Sequence, residues 1–346
     1  MKTFFISVFS LFLLVFVPIS VEAQMFSWLQ VSDIKPKKIA FVDDNKGYAL
    51  VNDSLLKTNN GGLTWSLTSD LGLVKDFNVN EQGNIYVLGT IKTNNQQKTA
   101  LFFSKGGHGW KVVHIFIYDI TVGGMEFTEN GHGFIGTIGL MKTTDHGRSW
   151  RSLLDLPLNH AVDVAFNRDL GFYVDYDAAR QEVNLYRTVD LGNTWDYLGV
   201  LDYRALDLNS QVPYKITFGE EAVYLVSGTK ILKSVNQGAS WETIRQDISD
   251  LYDIVFVRDR GFALGKEKII ISDNGGATWR EEFFSRASEY NSLSATESYV
   301  YAAAGGGVFR SSFNELFIKP LTPKNSFNTA RQSTANGSRQ SSAGSR

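Results

Sequence analysis

The sequence predicts an all-β fold: a seven-bladed β-propeller of four-stranded blades, with the ring closed by the first strand of the mature chain. Three observations predict it. Seven tryptophans recur at intervals of 37 to 46 residues, an octapeptide ending in Trp repeats with them, and short segments of alternating polarity lie between the octapeptides. A period near 40 residues is typical of propeller blades, each of which contains four short strands.

The octapeptide has the form Ser/Thr-x-Asp/Asn-x-Gly-x-Thr/Ser-Trp. Residues 143–150 and 188–195 match it best, 58–65, 234–241 and 272–279 are close variants, and 103–110 keeps only Gly107 and Trp110. An Asp or Asn side chain at the third position accepts backbone hydrogen bonds within a tight turn, and Gly supplies a positive φ. The Trp begins the next strand and buries its ring. These structural positions are Asn60, Gly62, Trp65, Asp145, Gly147, Trp150, Asp190, Gly192, Trp195, Asn236, Gly238, Trp241, Asn274, Gly276 and Trp279.

Three more strands precede each octapeptide. Segments 39–42, 164–166 and 254–257 alternate as half-buried first strands. A Gly followed by an aromatic residue, at Gly47, Gly133, Gly171 and Gly261, indicates a turn into a second strand. Segments such as 54–57 and 268–271 form the third strand, which leads into the octapeptide.

The last repeat, residues 292–317, has the pattern of three strands and no Trp. The missing fourth strand is predicted at the start of the mature chain, where Trp28 and its neighbours resemble the end of an octapeptide. Pairing of this strand with the last blade would close the ring and leave no open edge.

The two ends of the chain are predicted to lie outside the ring. Residues 1–23 contain Lys2, an apolar run and a small-residue ending at Ala23, which is typical of a cleavable signal peptide. The alternative, a membrane anchor, is disfavoured because the apolar run is short for a span. We therefore expect a secreted or periplasmic protein with no membrane span after cleavage, and a propeller over residues 24–322.

Residues 323–346 are predicted to be a disordered tail, because they are rich in Ser, Asn and Gln and nearly lack large apolar residues. All four charges of the tail are basic: Lys324, Arg331, Arg339 and Arg346. The body between signal peptide and tail carries 29 bases and 35 acids. The tail is interpreted as a solubilising linker, with contact to an anionic surface as the alternative.

Composition excludes several function classes. The formal net charge is −2, which does not favour nucleic-acid binding, and the absence of cysteine excludes disulfides, thiolate metal sites and a cysteine nucleophile. The five histidines have no paired spacing for zinc, and no octapeptide has the ligand pattern of a calcium loop. The sequence therefore predicts no metal, no cofactor and no assignable catalytic residues.

One charged pattern remains as a candidate binding site. Aspartates stand just before several predicted first strands, and lysines occupy similar places in other blades. First strands line the axis of a propeller, so these charges would form a ring around a central funnel. The alternative is that each Asp caps the loop before its strand. The candidates are Lys38, Asp76, Asp119, Asp163, Lys215 and Asp253.

The octapeptide resembles the Asp box, also called the bacterial neuraminidase repeat. In chain length and in the sequence pattern of its repeats, as at 47–65 and 261–279, the chain is most similar to the single-ring family of photosystem II assembly and stability factors. That resemblance implies a non-enzymatic platform for a protein partner, although a photosynthetic role does not follow. Sialidases carry an Arg-Ile-Pro motif that is absent here, and the related xyloglucan-processing enzymes have two propellers.

Two functions remain open at this point. The first is a secreted or envelope binding and assembly platform that recognises a protein partner on one face of the propeller. The alternative is a sialidase-like or other glycosidase, or a glycan-binding propeller, for which hydrolysis would require two carboxylates about 5–10 Å apart. The identity of the ligand, the face that binds it and the oligomeric state do not follow from the sequence.

Overall fold

The computed structural model describes residues 28–68, 71–153, 156–203, 214–227, 229–246, 251–265, 268–283 and 292–316. These residues form seven antiparallel four-stranded sheets arranged as the blades of a ring. The seven-bladed β-propeller predicted from the sequence is therefore confirmed. The predicted signal peptide and the basic tail lie outside the described residues.

Within each blade the strands are named A to D from the axis outward. Blade 1 contains β2 (Lys38–Phe41), β3 (Gly47–Val51), β4 (Ser54–Thr58) and β5 (Ser66–Leu67). Blade 2 contains β6 (Asp76–Val79), β7 (Ile85–Thr93), β8 (Gln96–Ser104) and β9 (Lys111–Ile115). Blade 3 contains β10 (Gly124–Phe127), β11 (Gly133–Thr137), β12 (Gly139–Thr143) and β13 (Arg151–Ser152). Blade 4 contains β14 (His160–Asn167), β15 (Leu170–Asp177), β16 (Glu182–Thr188) and β17 (Asp196–Tyr203).

The remaining blades follow the same order. Blade 5 contains β18 (Tyr214–Phe218), β19 (Val223–Ser227), β20 (Lys230–Ser234) and β21 (Glu242–Arg245). Blade 6 contains β22 (Leu251–Val257), β23 (Arg260–Gly265), β24 (Lys268–Ser272) and β25 (Arg280–Phe283). Blade 7 contains β26 (Ser292–Ala295), β27 (Tyr299–Ala304) and β28 (Gly307–Ser312), and the short helix α1 (Phe313–Leu316) follows.

The ring closes through the N-terminal strand, as the sequence predicts. Strand β1 (Leu29–Ser32) pairs with β28 in an antiparallel register that sets Leu29 opposite Arg310, and so supplies strand D of blade 7. Val31 is buried, and its side chain lies next to Gly62 of blade 1. The closing strand therefore contacts the first blade as well as the last.

The core lies between the blades, where strand A of one blade packs against strand B of the preceding blade. The aromatic residue near the start of strand B stacks on a Phe at or near the end of the next strand A. Such stacks have centroid separations of 3.5 to 4.0 Å, and they join Tyr301 to Phe41, Tyr86 to Phe127, Phe134 to Phe166 and Tyr224 to Phe256. One of the Gly-aromatic pairs of the sequence, Gly133 and Phe134, supplies such a stack.

Candidate functional site

The A strands line the axis of the ring with two tiers of side chains. Alternate residues of a strand point to the same side, and the intervening residues, such as Ile39 and Phe77, are buried between blades. The upper tier, at the entry ends of the strands, contains Lys38, Asp76, Gly124, Asp163, Lys215, Asp253 and Ser292. The lower tier, two residues further along, contains Ala40, Asn78, Glu126, Ala165, Thr217, Val255 and Ser294.

Five of the six sequence-predicted candidates lie in the upper tier, and Asp119 does not. Asp119 lies in the loop before β10, with its side chain 80% exposed and paired with Lys75. Hydrogen bonds from Lys75 and Thr99 lower its pKa. Gly124 takes the tier position of that blade.

The upper-tier carboxylates link neighbouring blades. Lys38 of blade 1 lies 2.8 Å from Asp76 of blade 2, and Lys215 of blade 5 lies 3.0 Å from Asp163 of blade 4. The second oxygen of Asp163 accepts the backbone N–H of Ile216 at 2.8 Å. These side chains therefore form inter-blade clasps, and they are not simply caps of their own loops.

Asp253 forms a further inter-blade clasp, between blades 6 and 7. It accepts the backbone N–H groups of Ile254 at 2.9 Å and of Leu293, in blade 7, at 2.7 Å. Burial raises its pKa. Each carboxylate oxygen of Asp253 thus accepts a backbone hydrogen bond. Little hydrogen-bonding capacity of the carboxylate therefore remains for a ligand.

Neutral side chains do the same at other interfaces. Ser292 and Ser294 of blade 7 accept the backbone N–H groups of Ile39 and Phe41, at 3.3 and 2.8 Å. Asn78 of blade 2 accepts the N–H of Phe127 in blade 3 at 3.1 Å. Both tiers therefore contribute to one belt of hydrogen bonds around the axis.

Glu126, in the lower tier, is a channel carboxyl that the sequence interpretation missed. Asn78 donates a hydrogen bond to it at 3.0 Å. Although part of its surface is accessible, the surrounding protein raises its pKa to about 7, against the opposing influence of Lys215 and Lys38. The signal that would have found it is its spacing, two residues beyond the upper-tier position of blade 3.

Lys215 is a channel lysine whose pKa depends on several nearby carboxylates. Burial by itself would lower its pKa, but the carboxylates of Asp163, Asp253 and Glu126 raise the pKa above its usual value. The lysine therefore stays charged at neutral pH, and the channel interior keeps a fixed positive charge among four acids.

A cavity of about 920 Å³, here named the acidic mouth, lies at the ends of the A strands that lead into the turns between strands A and B (AB turns). It is formed by the AB turns of blades 1, 2, 5, 6 and 7, together with an octapeptide residue of blade 1. Five acids and two bases line it. The lining residues are Val42, Asp43, Asp44, Asn45, Lys46, Asn59, Glu81, Phe218, Gly219, Glu220, Phe256, Val257, Arg258, Ala295, Thr296 and Glu297.

Some of these charges already have partners. Arg258 pairs with Glu297 at 2.9 Å, and Asp44 accepts a hydrogen bond from Thr296. Within the described part of the chain, Glu81 and Glu220 form no ion pair. The mouth therefore presents two carboxylates that no cation of the described chain neutralises.

A neighbouring cavity of about 380 Å³ shares the lining residue Glu81 with the mouth and has Glu126 of the channel in its own lining. Glu81 lines both cavities, and Glu126, Glu129 and Asp169 line the smaller one together with Arg168. The acidic lining thus continues from the mouth to the lower tier.

The seven AB turns taken together repeat this imbalance. Their acids are Asp43, Asp44, Glu81, Glu129, Asp169, Glu220, Glu221, Asp259 and Glu297, and their bases are Lys46, Arg168 and Arg258. Clustering nine acids with three bases on one face produces a negative potential that attracts cationic ligands.

The octapeptides form the turns between strands C and D. The side-chain oxygens of Asn60, Asp145, Asp190, Asn236 and Asn274 each accept the backbone N–H four residues further on at 2.9 Å. The glycines have φ between 71° and 87°, and they are Gly62, Gly147, Gly192, Gly238 and Gly276. The Trp residues directly precede strand D, and they are Trp65, Trp150, Trp195, Trp241 and Trp279. All these roles are conformational.

A base before the octapeptide is a second feature that the sequence interpretation missed. Lys142 donates to the carbonyl of Leu191 at 2.6 Å, and Lys233 donates to that of Gly275 at 2.7 Å, in each case in the octapeptide of the next blade. Arg187 reaches Gln237 at 3.3 Å in the same way. These bases join blades and do not line the mouth.

In the described part of the chain no group of three or more His, Cys, Asp or Glu side chains is arranged to hold a metal ion. None of its helices has the length and hydrophobicity needed to cross a membrane.

Comparison with known proteins relates this chain to other propellers by fold. No protein-family model matches the sequence, and no curated protein matches it at a significant level. Among solved structures, YCF48 bound to a D1 peptide is 17% identical with a TM-score of 0.59, and the match covers 82% of this chain and 94% of YCF48.

Two enzymes have the same fold. A GH74 xyloglucanase from Xanthomonas campestris is 14% identical with a TM-score of 0.63, and the match covers 82% of this chain but only 53% of the enzyme. A streptogramin B lyase is 14% identical with a TM-score of 0.60, over 82% of this chain and 96% of the lyase. At these identities the likeness establishes the propeller fold alone.

Proposed function

We propose that this protein is a non-enzymatic binding platform whose acidic mouth holds a basic segment of a partner protein. The observation that carries the proposal is the acidic mouth itself, a cavity of about 920 Å³ in which five acids face two bases. Its volume lies within the roughly 300–1,000 Å³ of ordinary ligand sites.

The charge arrangement favours a cationic segment. Glu81 and Glu220 have no ion-pair partner among the described residues, so Lys or Arg side chains of a ligand would pair with them without displacing another cation. A concave acidic surface with protein walls concentrates the field and raises the association rate. YCF48, a propeller of the same fold, binds a peptide, which supports a peptide as the ligand class.

The upper tier supports a non-enzymatic role. Asp163 and Asp253 accept backbone hydrogen bonds from neighbouring blades, and Asp76 pairs with Lys38. Carboxylates used in this way hold the ring together and are poorly placed to act as a catalytic pair.

The test is the binding of a fluorescent peptide of twelve residues with five Lys or Arg and no acids. Because bases of the chain itself would compete with this probe, the measurement uses a full-length variant whose C-terminal segment, residues 317–346, is neutral, here named the charge-neutral variant. In it Lys319, Lys324, Arg331, Arg339 and Arg346 are replaced by Gln. Adding Glu81→Gln and Glu220→Gln should weaken binding about tenfold, since each exposed charge contributes up to about 1 kcal/mol.

The matched control has the same net charge but an intact mouth. Glu182→Gln and Glu242→Gln remove two acids elsewhere, on β16 and on the outer strand β21, and should leave the peptide affinity within about twofold, because separated surface charges are screened over about 10 Å at 0.1 M salt. Equal weakening by both pairs would reject the mouth as the site.

One observation favours a second candidate, a glycosidase. Glu126 has a pKa of about 7, so it keeps a proton near neutral pH as a general acid must. Hydrolysis of a panel of glycans that is lost in Glu126→Gln would establish this alternative. If the wild-type protein leaves every glycan of the panel intact, the glycosidase alternative is rejected.

A further inference from the structure

The chain leaves the ring at the acidic mouth. Strand β28 ends at Ser312 on the AB-turn face, and α1 follows it directly. The backbone N–H of Phe313 donates to the carbonyl of Ser298 at 2.9 Å. Ser298 adjoins Glu297, which lines the mouth. The described chain therefore ends, at Leu316, on the face of the ring that carries the cavity.

The segment after Leu316 carries positive charge, which is opposite to the charge of the mouth. Residues 317–346 contain five bases, Lys319, Lys324, Arg331, Arg339 and Arg346, and no acid. The AB turns contain nine acids and three bases. The two parts of the chain therefore attract each other, and the attraction acts at short range because they are covalently joined.

Because residues 317–346 are tethered to the ring, weak ion pairs are sufficient for them to occupy the mouth. An extended chain spans about 3.3–3.6 Å per residue, so Lys324 can reach roughly 26–29 Å from Leu316. A short tether gives an effective concentration of the order of millimolar, and therefore even a millimolar intrinsic affinity occupies the site about half of the time.

We infer that residues 317–346 bind the acidic mouth of the same chain and compete with the basic segment of the partner. The inference rests on the proposed function, since it assigns a regulator to the same site. Only a partner that binds more tightly than the tethered segment, or that arrives at high local concentration, displaces it. The C-terminal segment thus raises the binding threshold of the mouth.

The first test compares the wild-type chain with the charge-neutral variant, using the fluorescent basic peptide. The variant should bind the peptide at least about fivefold more tightly at low salt, because it has lost the tethered competitor. Adding 0.5 M salt should abolish the difference, because screening weakens both interactions.

The outcomes separate the two proposals. If the charge-neutral variant binds the peptide and the wild-type chain binds it equally well, self-binding is overturned and the proposed function stands. If the charge-neutral variant does not bind the peptide, the proposed function fails, and with it the inference that depends on it.

A second measurement locates the contact. A water-soluble carbodiimide joins a carboxylate and a lysine amine in an amide bond, while the carbodiimide takes up the lost water and becomes a urea. In the wild-type chain, Lys319 and Lys324 should be linked to mouth acids such as Asp43, Glu220 and Glu297. Links confined to acids outside the AB turns would overturn the inference.

Mixing ¹⁵N-labelled and unlabelled chains distinguishes the source of the segment. Cross-linked peptides that carry one isotope only would show that the segment binds its own chain. Mixed isotopes in these peptides would mean that a second copy supplies it, and would overturn binding within one chain.

Discussion

At the scale of single residues, the charged groups around the axis divide into those that hold blades together and those that face open space. Asp163 and Asp253 accept backbone N–H groups across blade interfaces, whereas Glu81 and Glu220 line the mouth without an ion-pair partner among the described residues. Carboxylates near the axis therefore have two different roles. The presence or absence of a hydrogen bond to the next blade distinguishes the structural carboxylates from those that are available to a ligand.

Asp253→Ala should destabilise the ring. It removes the acceptor of the buried N–H of Leu293, and an unsatisfied buried donor costs about 1–3 kcal/mol. Asp253→Asn keeps one acceptor oxygen and should cost less. The free energy of unfolding in urea measures both. Asp119→Ala, at a site 80% exposed, is the control, and equal losses at the two sites would contradict the clasp.

The sequence predicts part of this arrangement. It places Lys38, Asp76, Asp163, Lys215 and Asp253 near the axis, because the entry ends of A strands converge there. Their use as clasps depends on the next blade, about 40 residues away, and local pattern does not reveal it. Whether any of these residues binds a ligand stays a prediction.

At the scale of elements, the length of a repeat indicates that a blade contains extra residues. Trp65 and Trp110 are 45 residues apart, as are Trp150 and Trp195. The intervening blades have long B and C strands: β7 and β8 each have nine residues, and β15 has eight. The spacing indicates an insertion, but its placement in paired strands depends on hairpin register, which the spacing does not specify.

The closing strand β1 provides a matched pair of substitutions. Val31 is 8% exposed and lies against blade 1, whereas Leu29 in the same strand is 58% exposed. Val31→Asp should lower the free energy of unfolding by about 3 kcal/mol or more, because it places an unpaired charge in the closure. Leu29→Asp should change it by less than about 0.5 kcal/mol.

Thermal and urea unfolding check this pair. The whole ring should unfold at lower urea in Val31→Asp, with a single transition, if closure stabilises all blades together. Identical midpoints for the two variants would show that the closing strand contributes little.

At the scale of the whole molecule, charge is segregated. Negative charge accumulates in the AB turns, and residues 24–322 carry six more acids than bases. The net charge does not reveal this uneven distribution of charge, since the complete chain has a formal charge of only −2. Segregation follows from topology, which gathers turns distant in sequence on one face.

Glu126 should make stability depend on pH. Its pKa is about 7 in the folded protein and about 4.3 in an unfolded chain, so the folded state holds more protons between these values. The free energy of unfolding therefore falls as pH rises from about 4 to 7. Glu126→Gln removes this contribution.

Urea unfolding at pH 5 and pH 8 measures the difference. The decline between the two pH values should be smaller in Glu126→Gln than in the wild type. Glu129→Gln, at an exposed site in the adjoining turn, should leave the decline unchanged. An equal decline in all three proteins would place the titration of Glu126 outside this range.

The closure of the ring by β1 also fixes an order of events during synthesis. Leu29 pairs with Arg310, so strand β1 stays unpaired until its partner is synthesised about 280 residues later. At roughly 5–20 residues per second this delay is roughly 15–55 seconds. Six blades can fold locally in that time, but the seventh cannot. Ring closure is therefore the slow, non-local step of folding, and the nascent chain carries an unpaired edge until it finishes.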